Sequence, residues 1–246
     1  MVLLEIIRHG NVTYNFGNIA DWISALAAIF AFGVVIWQQF RQEKITRALK
    51  IEQARPRFMR SIKGKLPDET DVLKNNQMSN RMLYEIIQKS RNDINKTKSE
   101  LLTLENISEN TIYCLEMLVI YEDKSKQFWK KIGMRKNGII TLVPSFLDGG
   151  IEPSKEIKDR VKLIARFLTP LNETGFYIYN YKSKEESYLF VKDKYNKLVR
   201  PLKNGKILKK NDKYIKRLNE EFDTQKGKIF IEVPYRLLKA RYSNES

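Results

Sequence analysis

The stretch TGFYIYNYKSKEESYLFVKDKY, Thr174–Tyr195, alternates aromatic and aliphatic residues through its first half and then turns rich in lysine. Tyrosine, phenylalanine and isoleucine favour strands, so residues 175–181 and 187–192 are expected to be two strands. The period of two sends Phe176 and Ile178 to one face and Tyr177, Tyr179 and Tyr181 to the other. With Phe176 and Ile178 assigned to the core, the three tyrosines are expected on the surface. There they would form a platform on which bases of a nucleic acid stack, each worth about 1–3 kcal/mol. A plain strand in which the tyrosines cover the sheet is the competing reading.

Immediately downstream lies KYNKLVRPLKNGKILKKNDKYIKR, residues 194–217. It holds ten cations, Lys194, Lys197, Arg200, Lys203, Lys206, Lys209, Lys210, Lys213, Lys216 and Arg217, against the single acid Asp212. Cations at that density, interleaved with Tyr195 and Tyr214, suit a polyanion whose phosphates they neutralise. Strands are expected at 197–203 and 206–209 around Asn204-Gly205, then a helix carrying Tyr214, Ile215, Leu218 and Phe222 on one face, and a last strand in KIFIEVPY.

Upstream the texture is also β. LLTLENISENTIYCLEMLVIYED reads as two strands joined by NISEN, QFWKKIGMRKNGIITLVP as a hairpin around Asn137-Gly138, and 161–168 as a further strand. One amphipathic helix is expected from Ser79 or Asn80, with Met82, Leu83, Ile86, Ile87 and Ile94 on its apolar stripe. Many short strands with one or two helices imply a sandwich or small barrel over residues 58–246.

The N-terminal part has another character. NIADWISALAAIFAFGVVIWQQFRQEK has no charge between Trp22 and Phe40. As a helix, residues 19–40 rise about 33 Å, enough to cross a hydrocarbon core of about 30 Å. Trp22 and Trp37 stand where interfacial tryptophans belong, and Arg41, Lys44 and Arg47 follow in the basic flank. The run ends in WQQFRQEK and not in a small-residue cleavage site, which speaks against a signal peptide. The expected layout is an outside tail (1–18), a transmembrane helix (19–40), a basic juxtamembrane neck (41–57) that stays helical until Pro56 disfavours it, and a cytoplasmic domain (58–246). The seven Lys and Arg of residues 41–60, against Arg8 alone before the span, put the C-terminal part inside. Ser24/Ala28 and Ala27/Ala31 have the spacing that lets two such helices approach, giving a homo-oligomer through the span as one expectation.

The whole chain of 246 residues carries +16, and since residues 1–40 sum to −1, the remainder carries +17. Such an excess favours polyanions, either nucleic acid or anionic lipid. With one cysteine and one histidine, no disulfide within the chain and no zinc cluster of Cys and His can form. Cys114, in the apolar run TIYCLEMLVIY, is expected to be buried. No phosphate loop or nucleophile triad is legible, and no cofactor is expected. PDETD at Pro67 and EDK at Glu122 match only loosely the carboxylates of a metal-dependent nuclease, so a binding protein is favoured over an enzyme.

In layout, with a short outer tail, the span DWISALAAIFAFGVVIW, a basic neck and a strongly basic inner domain, the chain resembles the AbiP-type bacterial abortive-infection (phage-resistance) proteins. The resemblance implies a membrane-anchored protein that binds nucleic acid, preferably single-stranded, and interferes with phage replication. The alternative is a membrane-tethered protein-interaction module whose charge serves the anionic leaflet.

Overall fold

The computed structural model describes residues 6–9, 12–15, 19–61, 66–75, 78–92, 101–143, 160–192, 205–224 and 230–243. It divides into two units, residues 1–49 and 50–246.

In the first unit, β1 (Ile6–His9) and β2 (Val12–Asn15) pair antiparallel within the stretch read from the sequence as a short tail with no element assigned to it. Helix α1 (Ile19–Ala54) runs without a break through the apolar stretch and the basic neck. It is long and apolar enough to cross a membrane, and its apolar window buries nothing within the protein. The helix stops one residue before Arg55, as expected from the restriction that Pro56 places on its predecessor. Trp22, Trp37, Arg41, Lys44 and Arg47 are exposed along it, with the Arg41 guanidinium 5.4 Å from the Trp37 ring centre.

The second unit is a sandwich of two mixed sheets with helices on both outer sides. The short strands β3 (Phe58–Ser61) and β4 (Asp71–Asn75) precede α2 (Asn80–Asn92). Then follow β5 (Leu102–Asn106), β6 (Ile112–Tyr121), β7 (Lys126–Met134), β8 (Ile139–Leu142) and β9 (Arg160–Leu168). The chain continues through β10 (Thr174–Asn180), β11 (Glu185–Lys192), β12 (Gly205–Lys209), α3 (Lys213–Asp223), β13 (Phe230–Pro234) and α4 (Tyr235–Tyr242). One sheet has the order β12-β11-β10-β9-β6-β7, the other β13-β4-β8-β5-β3.

Three apolar clusters bind these layers. The central one joins the facing sides of the sheets, including Phe58, Leu73, Leu104 and Ile140 from one and Met117, Trp129, Phe167, Tyr177 and Phe190 from the other. A second, with Val72, Leu83, Ile87, Val233 and Leu238, seats α2 and α4 on the outside of the five-stranded sheet. The third, with Leu118, Ile164, Phe176, Ile178, Ile215, Leu218 and Phe222, seats α3 on the outside of the six-stranded sheet. Apolar side chains thus pack on both faces of each sheet at its centre, while Lys130 and Ile132 of β7 and the lysines of β12 stay exposed toward the edges.

Several expectations change. The strands around Asn137-Gly138 do not form a hairpin: Gly138 N–H closes a turn on Arg135 O at 2.9 Å, yet β7 lies in one sheet and β8 in the other. The same holds for β5 and β6, so each turn is a corner between layers. Asn106 ties the two corners together by donating to Asn110 O (2.8 Å) and Arg135 O (3.1 Å). Among the described residues the domain has three helices, α2, α3 and α4, and not one or two, with β13 running directly into α4 at Tyr235. Cys114 is exposed at φ 48°, where the register of β6 against β9 shifts, so the bulge turns its thiol out of the core. Gly175 permits the close pairing beside it, since a Cβ there would meet Phe167 Cζ at 2.4 Å.

Candidate polyanion-binding edge

The tyrosines of β10 do not form a surface platform. Tyr177 is fully buried and Tyr179 is 8% exposed, both in the core between the sheets, and Tyr181 is half-buried against the same core. Assigning Phe176 and Ile178 to the core was correct, but the opposite face is core as well. Tyr177 packs 5.3 Å from the Phe58 ring and 5.2 Å from Tyr188, and its hydroxyl donates to Glu186 Oε2 at 3.2 Å. The Tyr179 hydroxyl accepts from Arg60 Nη2 at 2.9 Å, and the Tyr188 hydroxyl accepts from Phe58 N–H at 2.9 Å. Burial drives the Tyr177 phenol far above its ordinary range, with the Glu186 carboxylate adding to the effect, and pushes Tyr188 up to about 12. A phenol held neutral inside a core cannot meet a base.

The basic segment has the opposite fate. Lys194, Lys197, Arg200 and Lys203, with Tyr195 and the strand expected at 197–203, lie outside the described residues. The other six chosen cations, Lys206, Lys209, Lys210, Lys213, Lys216 and Arg217, are all exposed. Strand β12 forms the edge of the six-stranded sheet and pairs parallel to β11, with Lys209 beside Lys192. Its Ile207 packs on the central cluster and its Leu208 on the α3 cluster, and Lys206 and Lys209, which flank them, are exposed at the margin. After Lys209 the chain closes a turn, Asp212 N–H to Lys209 O at 2.9 Å, and Asp212 Oδ1 caps α3 by accepting from Tyr214 N–H at 2.8 Å. Since Ile215, Leu218 and Phe222 face inward, the helical period turns Lys213, Lys216 and Arg217 outward. Tyr214, 40% exposed, stands among them.

Charge along α3 is polarised against the helix dipole. Its first two turns carry the cations, whereas Glu220, Glu221 and Asp223 occupy its end, where positive charge would be favoured. The acids are used: Glu221 pairs with Lys126, and Asp223 lies 3.8 Å from Arg166. None of the six exposed cations forms an ion pair with another described residue. A positive surface that local helix energetics disfavour is the kind of local conflict found at binding sites. Lys192, adjacent in the register, belongs to the same edge and was overlooked; its signal was its place two residues before Lys194.

The end of the sheet at which β11 and β12 finish also receives the last turn of α1. Ile51 and Ala54 are buried there, and Arg55, fully buried, makes a double contact with Glu173 in the β9–β10 turn: Nε to Oε2 at 2.9 Å and Nη2 to Oε1 at 2.7 Å. Its guanidinium lies 4.0 Å from the Phe190 ring centre. No sequence pattern marked this pair.

The carboxylates of the nuclease reading are held by lysines: Asp68 by Lys239 at 3.0 Å, Asp71 at 2.9 Å by Lys131, which also pairs with Glu232, and Glu122 by Lys182 at 2.9 Å. Among the described residues no three side chains of His, Cys, Asp or Glu gather as metal ligands. Compared with protein-family models, curated proteins and solved structures, the chain matches none of them.

Proposed function

We propose that this is a single-pass membrane protein, N-terminus outside, whose cytoplasmic sandwich binds nucleic acid, single strands foremost, along the edge formed by β12 and the first turns of α3. The observation that carries the reading is the set of six exposed cations, Lys206 to Arg217, without acidic partners among the described residues, with the exposed Tyr214 in the same stretch of sequence. The lysines track phosphates, and Tyr214 replaces the buried tyrosines of β10 as the stacking surface. The resemblance in layout to AbiP-type abortive-infection proteins supports the same reading, with phage resistance as the proposed biological setting.

The test is oligonucleotide binding by the full chain in uncharged lipid nanodiscs as salt is raised. Affinity should fall steeply, by about 0.7 in log K per log salt for each phosphate contacted on a single strand. Replacing Lys209, Lys213 and Arg217 with Gln should weaken binding for every sequence and flatten that slope by about 2. Absence of binding at low salt refutes the proposal.

A second reading has its own observation: Arg41, Lys44 and Arg47 follow the span directly in sequence and are exposed, which suits anionic headgroups near a basic domain. Nanodiscs containing phosphatidylglycerol separate the two. If anionic lipid abolishes oligonucleotide binding, the edge belongs to the leaflet.

A further inference from the structure

Helix α1 carries a second pattern besides its apolar length. From Ser24, steps of four and three residues alternate without interruption through Ala28, Ala31 and Val35, then Gln38 and Gln42, then Ile45 and Leu49. That spacing keeps one stripe facing a partner helix in a left-handed coiled coil. The composition of the stripe changes where the solvent changes. In the apolar half it is small residues, and Trp22, Leu26, Ile29, Ile36 and Phe40 lie on the other side of the helix. In lipid, apolar burial gives helices no reason to associate, and close backbone approach across small residues does. The Ser24 hydroxyl is already satisfied by Ala20 O at 2.8 Å, so it adds no unpaired polar group to such a contact.

In the neck, where water surrounds the helix, the same stripe becomes aliphatic. Ile45 and Leu49 are 49% and 52% exposed in a stretch otherwise polar and charged. The cations avoid it: Lys44, Arg47 and Lys50 fall on the outer positions of the repeat, and Arg47 is held by Glu43 one turn away. The positions flanking the stripe are Gln39, Thr46, Ala48 and Gln53, with Arg41 the one charge, drawn to the Trp37 ring. For a chain of +16 that segregation matters, because like charges beside the seam would drive two copies apart. Ile51 and Ala54, which are buried, lie off the stripe.

We propose that two copies of this chain associate in parallel along the stripe from Ser24 to Leu49, as one continuous helix pair that passes from the membrane into the neck. The occupant is a second copy because a parallel pair sets each stripe residue against itself, small on small in lipid and aliphatic on aliphatic in water. The proposal rests on α1 as the span but not on nucleic-acid binding.

Single cysteines in the full chain carrying Cys114→Ser, oxidised in isolated membranes, test it. Ile45→Cys and Leu49→Cys should give a disulfide-linked dimer of twice the chain mass, whereas Lys44→Cys and Arg47→Cys stay monomeric. Adding Ala31→Phe should abolish the Ile45→Cys dimer, and Ile29→Phe on the far side should leave it. Equal cross-linking all round the helix, no dimer at the stripe, or an adduct of another mass each overturns the proposal. Alkaline extraction of the same membranes reports on the span by itself: a released protein refutes the span whatever the cross-links show.

Discussion

Strand β10 and the segment from β12 into α3 are both places where a nucleic acid would find its usual contacts, aromatic rings in one and cations in the other. The protein treats them oppositely. Tyr177 and Tyr179 lie in the central core with their hydroxyls held by Glu186 and Arg60, while Lys206 to Arg217 remain in water. Burial explains the difference. A phenol gives up its hydration at small cost if one hydrogen bond replaces it, whereas a lysine ammonium would need a full countercharge. Among the described residues Arg55, the most deeply buried cation, has one in Glu173, whereas Lys74, buried without an acid, donates to Met78 O and has its pKa lowered by burial. The aromatic residues of β10 therefore report on packing, and the cations without described acidic partners are the ones left exposed to a ligand.

The largest effects should come from the buried side. Replacing Glu173 with Gln leaves the Arg55 charge inside the domain without its countercharge and should destabilise by about 3–5 kcal/mol, read as a lowered melting temperature. Tyr177→Ala should cost a similar 3–5 kcal/mol through the cavity opened between Phe58 and Tyr188. If that variant kept its stability and lost oligonucleotide binding, the two regions would have to exchange roles.

A smaller effect appears in alkali. Unfolded tyrosines lose their protons near pH 10, but Tyr188 keeps its proton to about 12, and Tyr121, Tyr177 and Tyr181 are also raised, by burial first in each case. Between those limits the folded state binds more protons than the unfolded one, so stability must fall as pH rises. The slope is about 1.4 kcal/mol per pH unit for each such tyrosine. Stability is full below pH 10. Absorbance of tyrosinate under native conditions should show this subset titrating late, and a single ordinary titration of all tyrosines would contradict their burial.

Periodicity made much of the fold legible. Strands β9, β10 and β11, the apolar face of α3 and the end of α1 before Pro56 all follow from residue pattern and local sterics. What stayed hidden depends on which element lies on which. Alternation separates Phe176 from Tyr177 but cannot say whether one face or both is covered, and α3 returns to the sheet only after β12 has joined it. Asn137-Gly138 makes its turn as its chemistry demands, yet whether the strands beside it pair is decided by the layers they enter. Strands β3 and β4, of four and five residues, are too short to show a period. The cations of the candidate edge were legible because charge needs no partner to be exposed. The Arg55–Glu173 pair was not, because 118 residues separate its members.

The smallest stability effect belongs to the exposed side, and it is the most diagnostic. Lys209→Gln, Lys213→Gln and Arg217→Gln remove charges that touch no described acid, so each should change stability by no more than about 0.5 kcal/mol. At α3 the sign should even favour the variants, since Lys213 and Arg217 oppose the positive end of the helix dipole and their loss relieves that repulsion. A binding surface built from such residues predicts a dissociation: oligonucleotide affinity falls with each substitution while the melting temperature holds or rises slightly. Charges that serve the fold would move both together, downward, and a thermal melt beside a binding titration on the same three variants separates the cases.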